Sequence, residues 1–462
     1  MTQLLGFPSP AEVAAQTPAD RDRAIDVIRI VSLVGVVAGH TIMATSVIRD
    51  QVFHWDNLLT TSVVFQALTW VFQIMPLFFF AGAAACVQSW RPGASWGGWL
   101  LRRATRLYRP VFYYLAFWAA ALTALRLLLP VDVYRPIAGI SVQLLWFLGA
   151  YMLVLAAVPL LYRITSVGRL AAGVAGVYLL IGVVDAVRLH AADATGAPGA
   201  PLLGYLNMSV WLIPGMLGVA YRRRLLDART GFRAGLGMLA VNLALLVAGP
   251  YELSLVGIEG QRMANMSPPS LLLAGHAIMM CCFAIAAAPA ITRWAQRPRV
   301  WWLAAIGNSG AMTLYLWHMP ALLAVHLVFD YLGLARYPGE PHLTALSVAQ
   351  VAVMAVLVAV LFVTLQPIEN TPLPGWDGGS VRTPGARSAA VGALLCVAGA
   401  ATLVSVKWGL KDDGLYCMAV LLTALVTARL LAAGDRAATL STAPAAPRRD
   451  ARSAASAAPA GR

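Results

Sequence analysis

Arg29 and His40 stand in the first long apolar run of the chain, "AIDVIRIVSLVGVVAGH". Eleven residues span close to three turns of an α-helix, so the two side chains share one face, about 16 Å apart along the axis. Ionisable groups at bilayer depth are costly, roughly 2.5–3.5 kcal/mol for an arginine at the centre of a helix, and they face the interior of a bundle. A neutral imidazole at that depth is a good proton acceptor near pH 7, which marks His40 as a chemical group rather than a filler. Arg29 taken alone also fits an arginine that snorkels from a helix end. Asp26, three residues earlier, is spaced to form an ion pair with Arg29 at the helix entrance.

Two further clusters stand out. In "WLLRRATRLYRP", Arg102, Arg103, Arg106 and Arg109 place three or four guanidinium groups around about one helical turn. Arginine's planar fork suits bidentate contacts to phosphate, although anchoring at the cytoplasmic face accounts for part of this charge. In "GNSGAMTLYLWHMP", Tyr315 and His318 share a helix face just before Pro320. That pair either orients a hydroxyl group or satisfies a helix kink. Asp185 and Arg188, one turn apart, are spaced to pair with each other. The chain carries no Walker motif, dinucleotide-binding glycine fingerprint, nucleophile elbow or cluster with metal-ligand spacing, so no metal is expected.

The elements that must position these residues are membrane spans. The 462 residues are 60% hydrophobic and only 12% charged, well outside the range of ordinary globular domains. A formal charge of +14 raises the question of nucleic acid, but the basic residues sit in short clusters between apolar runs, so no nucleic-acid partner is expected. A span needs roughly 20 apolar residues. Twelve segments qualify, among them 25–47, 61–89, 107–129, 201–221 and 301–332. The fold class is therefore an all-α polytopic membrane protein with the lipid bilayer as its solvent. If both termini are cytoplasmic, 26 of the 34 Lys and Arg residues fall on the cytoplasmic side, as the positive-inside rule requires. The N-terminus lacks a basic leader followed by an apolar core, so no signal peptide is expected. The five cysteines lie almost entirely in apolar segments without ligand spacing and are read as packing residues. The chain divides into a cytoplasmic segment 1–20, a transmembrane core 21–370, a loop with two further spans at 371–436, and a disordered tail 437–462 rich in Ala, Pro, Ser and Arg.

Taken in order, these motifs resemble the acyltransferase 3 family of integral-membrane acyltransferases. "AIDVIRIVSLVGVVAGH" is similar to that family's first-helix signature, "MPLFFFAGA" to its Phe-rich second helix and "RRATRLYRP" to its Arg-x-x-Arg motif. "LWFLGAYMLVLAAVPLL" and "GNSGAMTLYLWHMP" resemble two later segments, so the likeness runs over residues 22–370. It implies a ten-helix core, followed here by two extra helices, and transfer of an acyl group, commonly acetyl, from cytoplasmic acyl-CoA to an acceptor. The acceptor classes it implies are a sugar, glycolipid, surface glycan or small-molecule secondary metabolite. Arg29 and His40 would be the catalytic pair, with His40 as general base or as a nucleophile carrying the acyl group. Arg103 and Arg106, with Arg102, would hold the acyl-CoA phosphates, and Tyr315, His318 and Asp26 would support the site. Ala81 departs from the pattern, since many members have Ser before the glycine. A multi-pass place in a bacterial cytoplasmic membrane follows from the same likeness, and 32 Arg against 2 Lys fits a high-GC bacterium. A proton-coupled transporter or exporter is the rival class, with His40 as a proton relay, but the two halves show no internal repeat of the kind many transporters carry.

Overall fold

The computed structural model describes residues 7–193, 203–258 and 263–441. Residues 1–6 of the N-terminal segment and 442–462 of the expected tail lie outside the described residues. The protein is an all-α polytopic membrane protein: among the described residues, 11 helical segments are long and apolar enough to cross a membrane. The span expected at 201–221 is a composite in which a 3-10 helix, Gly204–Trp211, runs into an α-helix, Leu212–Arg222. Its first half is held by Asn207, whose amide donates to Asp185 Oδ1 at 2.8 Å and to the Pro269 carbonyl at 2.7 Å. Asp185 pairs with Arg188 as its spacing predicts, at 3.2 Å, and also accepts the Leu271 backbone N–H at 2.7 Å. One buried carboxylate thus gathers the fifth span, in the helix Val167–Asp193, this composite sixth span and the eighth, Leu271–Trp294.

Several boundaries differ from the sequence reading, each for a local reason. The first span is Arg23–Met43, capped by the Asp22 side chain on the Ile25 N–H. Its chain then enters a two-stranded hairpin, β1 (Ala44–Arg49) and β2 (Val52–Asn57), paired antiparallel from Ala44 opposite Asn57 to Arg49 opposite Val52. The two turn residues, Asp50 and Gln51, both have positive φ, 51° and 61°, the backbone that a two-residue hairpin needs to match strand twist. The second span breaks between Val63–Phe72 and Met75–Val87. The Gln73 carbonyl freed there accepts a hydrogen bond from His276 Nε2 at 3.1 Å, so this histidine satisfies a broken helix.

The third span was expected to begin at 107, after an arginine-bearing loop. Its helix instead starts at Trp96 and runs unbroken to Leu128 through Pro110, so all four arginines ride on the helix. Arginine is a good helix former, and this first part of the helix lies before the apolar run that signals bilayer depth. The ninth span was expected at 301–332 and is two pieces, a helix Pro298–Ser309 and the span Ala311–Tyr331. The chain turns at Gly310, where an added Cβ would run into the ring of Phe362.

The last two helices, Ala386–Ser405 and Asp413–Ser441, pack on each other, and the first of them lies against the third and fourth spans. Ser388 of the eleventh span accepts from the Ser95 hydroxyl at 2.9 Å and from the Gly97 N–H at 3.0 Å, at the start of the arginine-bearing helix. The fourth span, Val131–Ala156, meets the eleventh backbone to backbone. A Cβ on Gly149 would lie 2.5 Å from the Gly399 carbonyl oxygen and 2.7 Å from the Leu403 nitrogen. Gly149→Val should therefore lower the thermal unfolding midpoint in detergent, by a free energy of about 1–3 kcal/mol for overpacking. An unchanged midpoint would show that the two helices slide apart freely.

Candidate active site

At the entrance of the first span, Asp26 is buried and its carboxylate is taken by Arg21, Nε to Oδ2 at 2.5 Å and Nη2 to Oδ1 at 2.8 Å. The expected Asp26–Arg29 ion pair does not form. Arg29 Nε instead donates to Asn308 Oδ1 at 2.7 Å. The Asn308 amide nitrogen in turn donates to the backbone carbonyls of Asp26, at 2.8 Å, and Ala304, at 2.7 Å. The reason is steric order: the end of helix Pro298–Ser309 is inserted beside the first span, and its asparagine is the group within reach of the guanidinium. Asn308 was not singled out in the sequence, where the only signal was its place in the glycine-flanked "GNSG".

Arg29 faces a cavity of about 670 Å³, whose wall also carries Arg103, Arg106, Tyr151, Thr313 and Glu369. Arg103 lies flat over Trp99, 3.6 Å from the ring centroid, donates to the Trp99 carbonyl at 3.0 Å and bonds the Ser89 hydroxyl. Stacking of this kind fixes a guanidinium without neutralising it. Arg106, one turn on, is exposed and also lines the cavity. Arg102 does not: one residue of helix rotates it about 100° from Arg103, and it is exposed outside the wall. Arg109 reaches the cavity with its charge already committed, both to the Asp377 carboxylate and to the Asn370 carbonyl at 2.9 Å. Two of the three arginines expected to bind phosphate therefore face one space.

Farther along both helices, past the cavity wall, His40 and His318 meet. His40 Nδ1 and His318 Nε2 are 2.9 Å apart with ring planes within 11° of parallel. His318 Nδ1 lies 3.1 Å from the Leu314 carbonyl, which only accepts, so Nδ1 carries the proton. With both rings neutral, His318 Nε2 is then the acceptor and His40 Nδ1 the donor. The remaining lone pair falls on His40 Nε2, which has no hydrogen-bond partner among the described residues and belongs to a partly exposed side chain. A backbone carbonyl thus sets the tautomer of the second histidine in line.

The domain model described as an acyltransferase domain matches residues 22–364. The chain belongs to the acyltransferase 3 family. No curated protein and no solved structure matches it. Family membership makes this a membrane acyltransferase, and the matched region contains the Arg29–Asn308 clamp, the cavity arginines and the histidine pair.

Within this acyltransferase, Tyr315 is placed behind the pair. Its hydroxyl donates to the Leu144 carbonyl at 2.6 Å, tying the ninth span to the fourth, and its ring lies 6.2 Å from that of His318. Besides Asn308, the wall residues Tyr151 and Glu369 escaped the sequence reading. Tyr151 sits in the Trp-Phe-Leu helix among aromatic residues that gave no chemical signal. Glu369 ends a long apolar run and accepts from Thr313 Oγ1 at 2.5 Å and Trp317 Nε1 at 2.7 Å. A lone carboxylate closing such a run is the one clue that could have found it. Thr313→Val removes one of those two donors and should lower stability by about 1–3 kcal/mol, whereas Thr313→Ser should not. Equal thermal midpoints for the two variants would mean the hydroxyl is dispensable.

Proposed function

We propose that this acyltransferase takes an acyl group, in the first instance acetyl, from cytoplasmic acyl-CoA and delivers it to an acceptor hydroxyl at His40. Both termini and the arginine-lined end are then cytoplasmic, in accord with the positive-inside count, in a bacterial cytoplasmic membrane. The acceptor is a sugar, a glycolipid, a surface glycan or a small secondary metabolite. The observation that carries the reading is the chain from the Leu314 carbonyl through His318 to His40, which leaves an unpartnered lone pair on His40 Nε2.

In this reading the diphosphate and ribose phosphate of acyl-CoA rest on Arg103 and Arg106, whose guanidinium groups face the cavity. The pantetheine arm runs inward along the Arg29 to His40 face. Phe78 and Phe147 line the cavity edge to face, apolar surface along which the pantetheine arm would pass. His40 Nε2 takes the hydroxyl proton as the acceptor oxygen attacks the thioester carbonyl. The tetrahedral intermediate collapses, the carbon–sulfur bond breaks, and the imidazolium returns the proton to the departing CoA thiolate. Ester and free CoA are the products, with no net proton gained or lost. While His40 is protonated, its Nδ1–H donates to the neutral His318 ring, a charge-assisted bond that stabilises the cation.

Transfer or hydrolysis of radiolabelled acetyl-CoA by the protein in lipid vesicles tests this directly. His40→Ala should lower turnover about 10²- to 10⁴-fold, the usual contribution of a general base. Turnover retained in that variant would overthrow the mechanism. Arg106→Ala should raise the KM for acetyl-CoA about tenfold with kcat little changed, because one charge-assisted phosphate contact is lost. A fall in kcat at constant KM would place Arg106 in the chemistry instead.

A further inference from the structure

A second cavity, of about 330 Å³, opens at the other end of the bundle between the second span and the tenth, Leu343–Asn370. Ile42, Phe65, Leu343 and Val351 give it apolar walls, and Ser347 and Arg336 supply its polar side. Arg336 is only 1% exposed. It donates from Nε to Ser347 Oγ at 3.1 Å, from Nη2 to the Ile42 carbonyl at 2.7 Å, and from Nη1 to the Ala44 carbonyl. Those bonds cap the end of the first span, where the helix dipole offers about half a negative charge.

The cap accounts for three of the five N–H donors of a guanidinium and leaves the rest of its charge unmet. Arg336 makes no ion pair among the described residues. Asp330, on the neighbouring helix, has its Oδ2 bonded to Ser46 Oγ at 2.6 Å, and His326 Nδ1 shares the same hydroxyl at 2.8 Å. Burial pulls the Arg336 pKa down to about 10, so the group is still cationic at neutral pH. A charged fork that is buried, unpaired and set in the wall of a cleft calls for an anion from outside the protein.

The position of the cleft says which kind. Arg336 lies in the connection between the helices Ala311–Tyr331 and Leu343–Asn370, where two membrane-spanning helices end and begin, and Val63, Val64 and Val348, close in sequence to cleft-lining residues, are exposed apolar residues. A soluble anion would gain nothing from four apolar walls, whereas an amphiphile uses both parts of the site. We propose that this cleft binds the phosphate headgroup of an anionic membrane lipid, with its chains along the exposed faces of the second and tenth spans. The proposal does not rest on the transfer reaction proposed at His40, although Ile42 of the cleft is two residues from it.

The test uses the full chain in phosphatidylcholine nanodiscs, into which labelled phosphatidylglycerol is titrated. Wild type should bind phosphatidylglycerol in preference to phosphatidylcholine, and millimolar inorganic phosphate or glycerol phosphate should not displace it. Arg336→Gln should weaken that binding about tenfold, the loss of a charge-assisted contact. Val351→Trp, which fills the cleft and keeps the arginine with its three bonds, should weaken it to a similar degree and decides the matter if the first variant does not fold. Equal affinity for the zwitterionic lipid would reduce Arg336 to a helix cap and overturn the proposal. Undiminished binding by Val351→Trp would overturn it as well, and full competition by inorganic phosphate would make the ligand a soluble anion.

Discussion

No water reaches the middle of a bilayer, so a polar side chain there has only other protein groups to bond with, and an unmet group costs several kcal/mol. The His40–His318 pair shows two such groups meeting the constraint together. Each histidine alone would be a liability on its helix. Joined, they satisfy one another, and the Leu314 carbonyl ends the chain on one side. What is left over at the other end is one lone pair, oriented by covalent geometry and by helices that are themselves packed. The same pressure explains the other buried polar groups: Asp185 among three spans, His276 on the broken second helix and Glu369 between Thr313 and Trp317.

The two ends of the bundle meet this pressure differently. Around the larger cavity the cationic groups are only partly neutralised. Arg109 is closed by Asp377, while Arg103 is spread on an indole face and Arg106 is left outward. At the hairpin end Arg49 is paired with Glu340, and Arg336 is held by backbone carbonyls. A gradient in how charge is compensated therefore runs along the same axis as the Arg29 to His40 stripe.

Much of this was legible because bilayer thickness imposes a length and the α-helix imposes a period. The polytopic helical fold and the placing of Arg29, His40 and His318 on spans follow from those two rules and from the cost of burying charge, while eleven rather than twelve segments among the described residues are long, apolar helices. What escaped depended on contacts distant in sequence. Asp26 sits at ion-pair spacing from Arg29, yet Arg21 and Asn308 divide the two between them, and no local period announces an asparagine 279 residues away. The first four residues of the hairpin, 44–47, were absorbed into the first span because Thr45 and Val47 continue the apolar run, and the rest reads as an outer loop. Arg102 looked equivalent to Arg103 until the helix was extended back to Trp96, when its rotation became decisive. Tyr151 and Glu369 gave weak signals of their own and acquired meaning only from a shared cavity.

The bonds from Ser388 to Ser95 and Gly97 set a schedule as well as a shape. The helix that carries Arg103 and Arg106 is anchored at its start by a residue 293 positions later in the chain. At a synthesis rate of about 5–20 residues per second, that partner emerges roughly 15–60 s after the serine it holds. By the end of that interval ten spans have been made while the helix bearing the cavity arginines still lacks its clamp. The anchoring of the arginine-bearing helix is thus deferred to late translation, and a ribosome stalled before the eleventh span would leave a bundle with its histidines paired and its arginine helix unanchored.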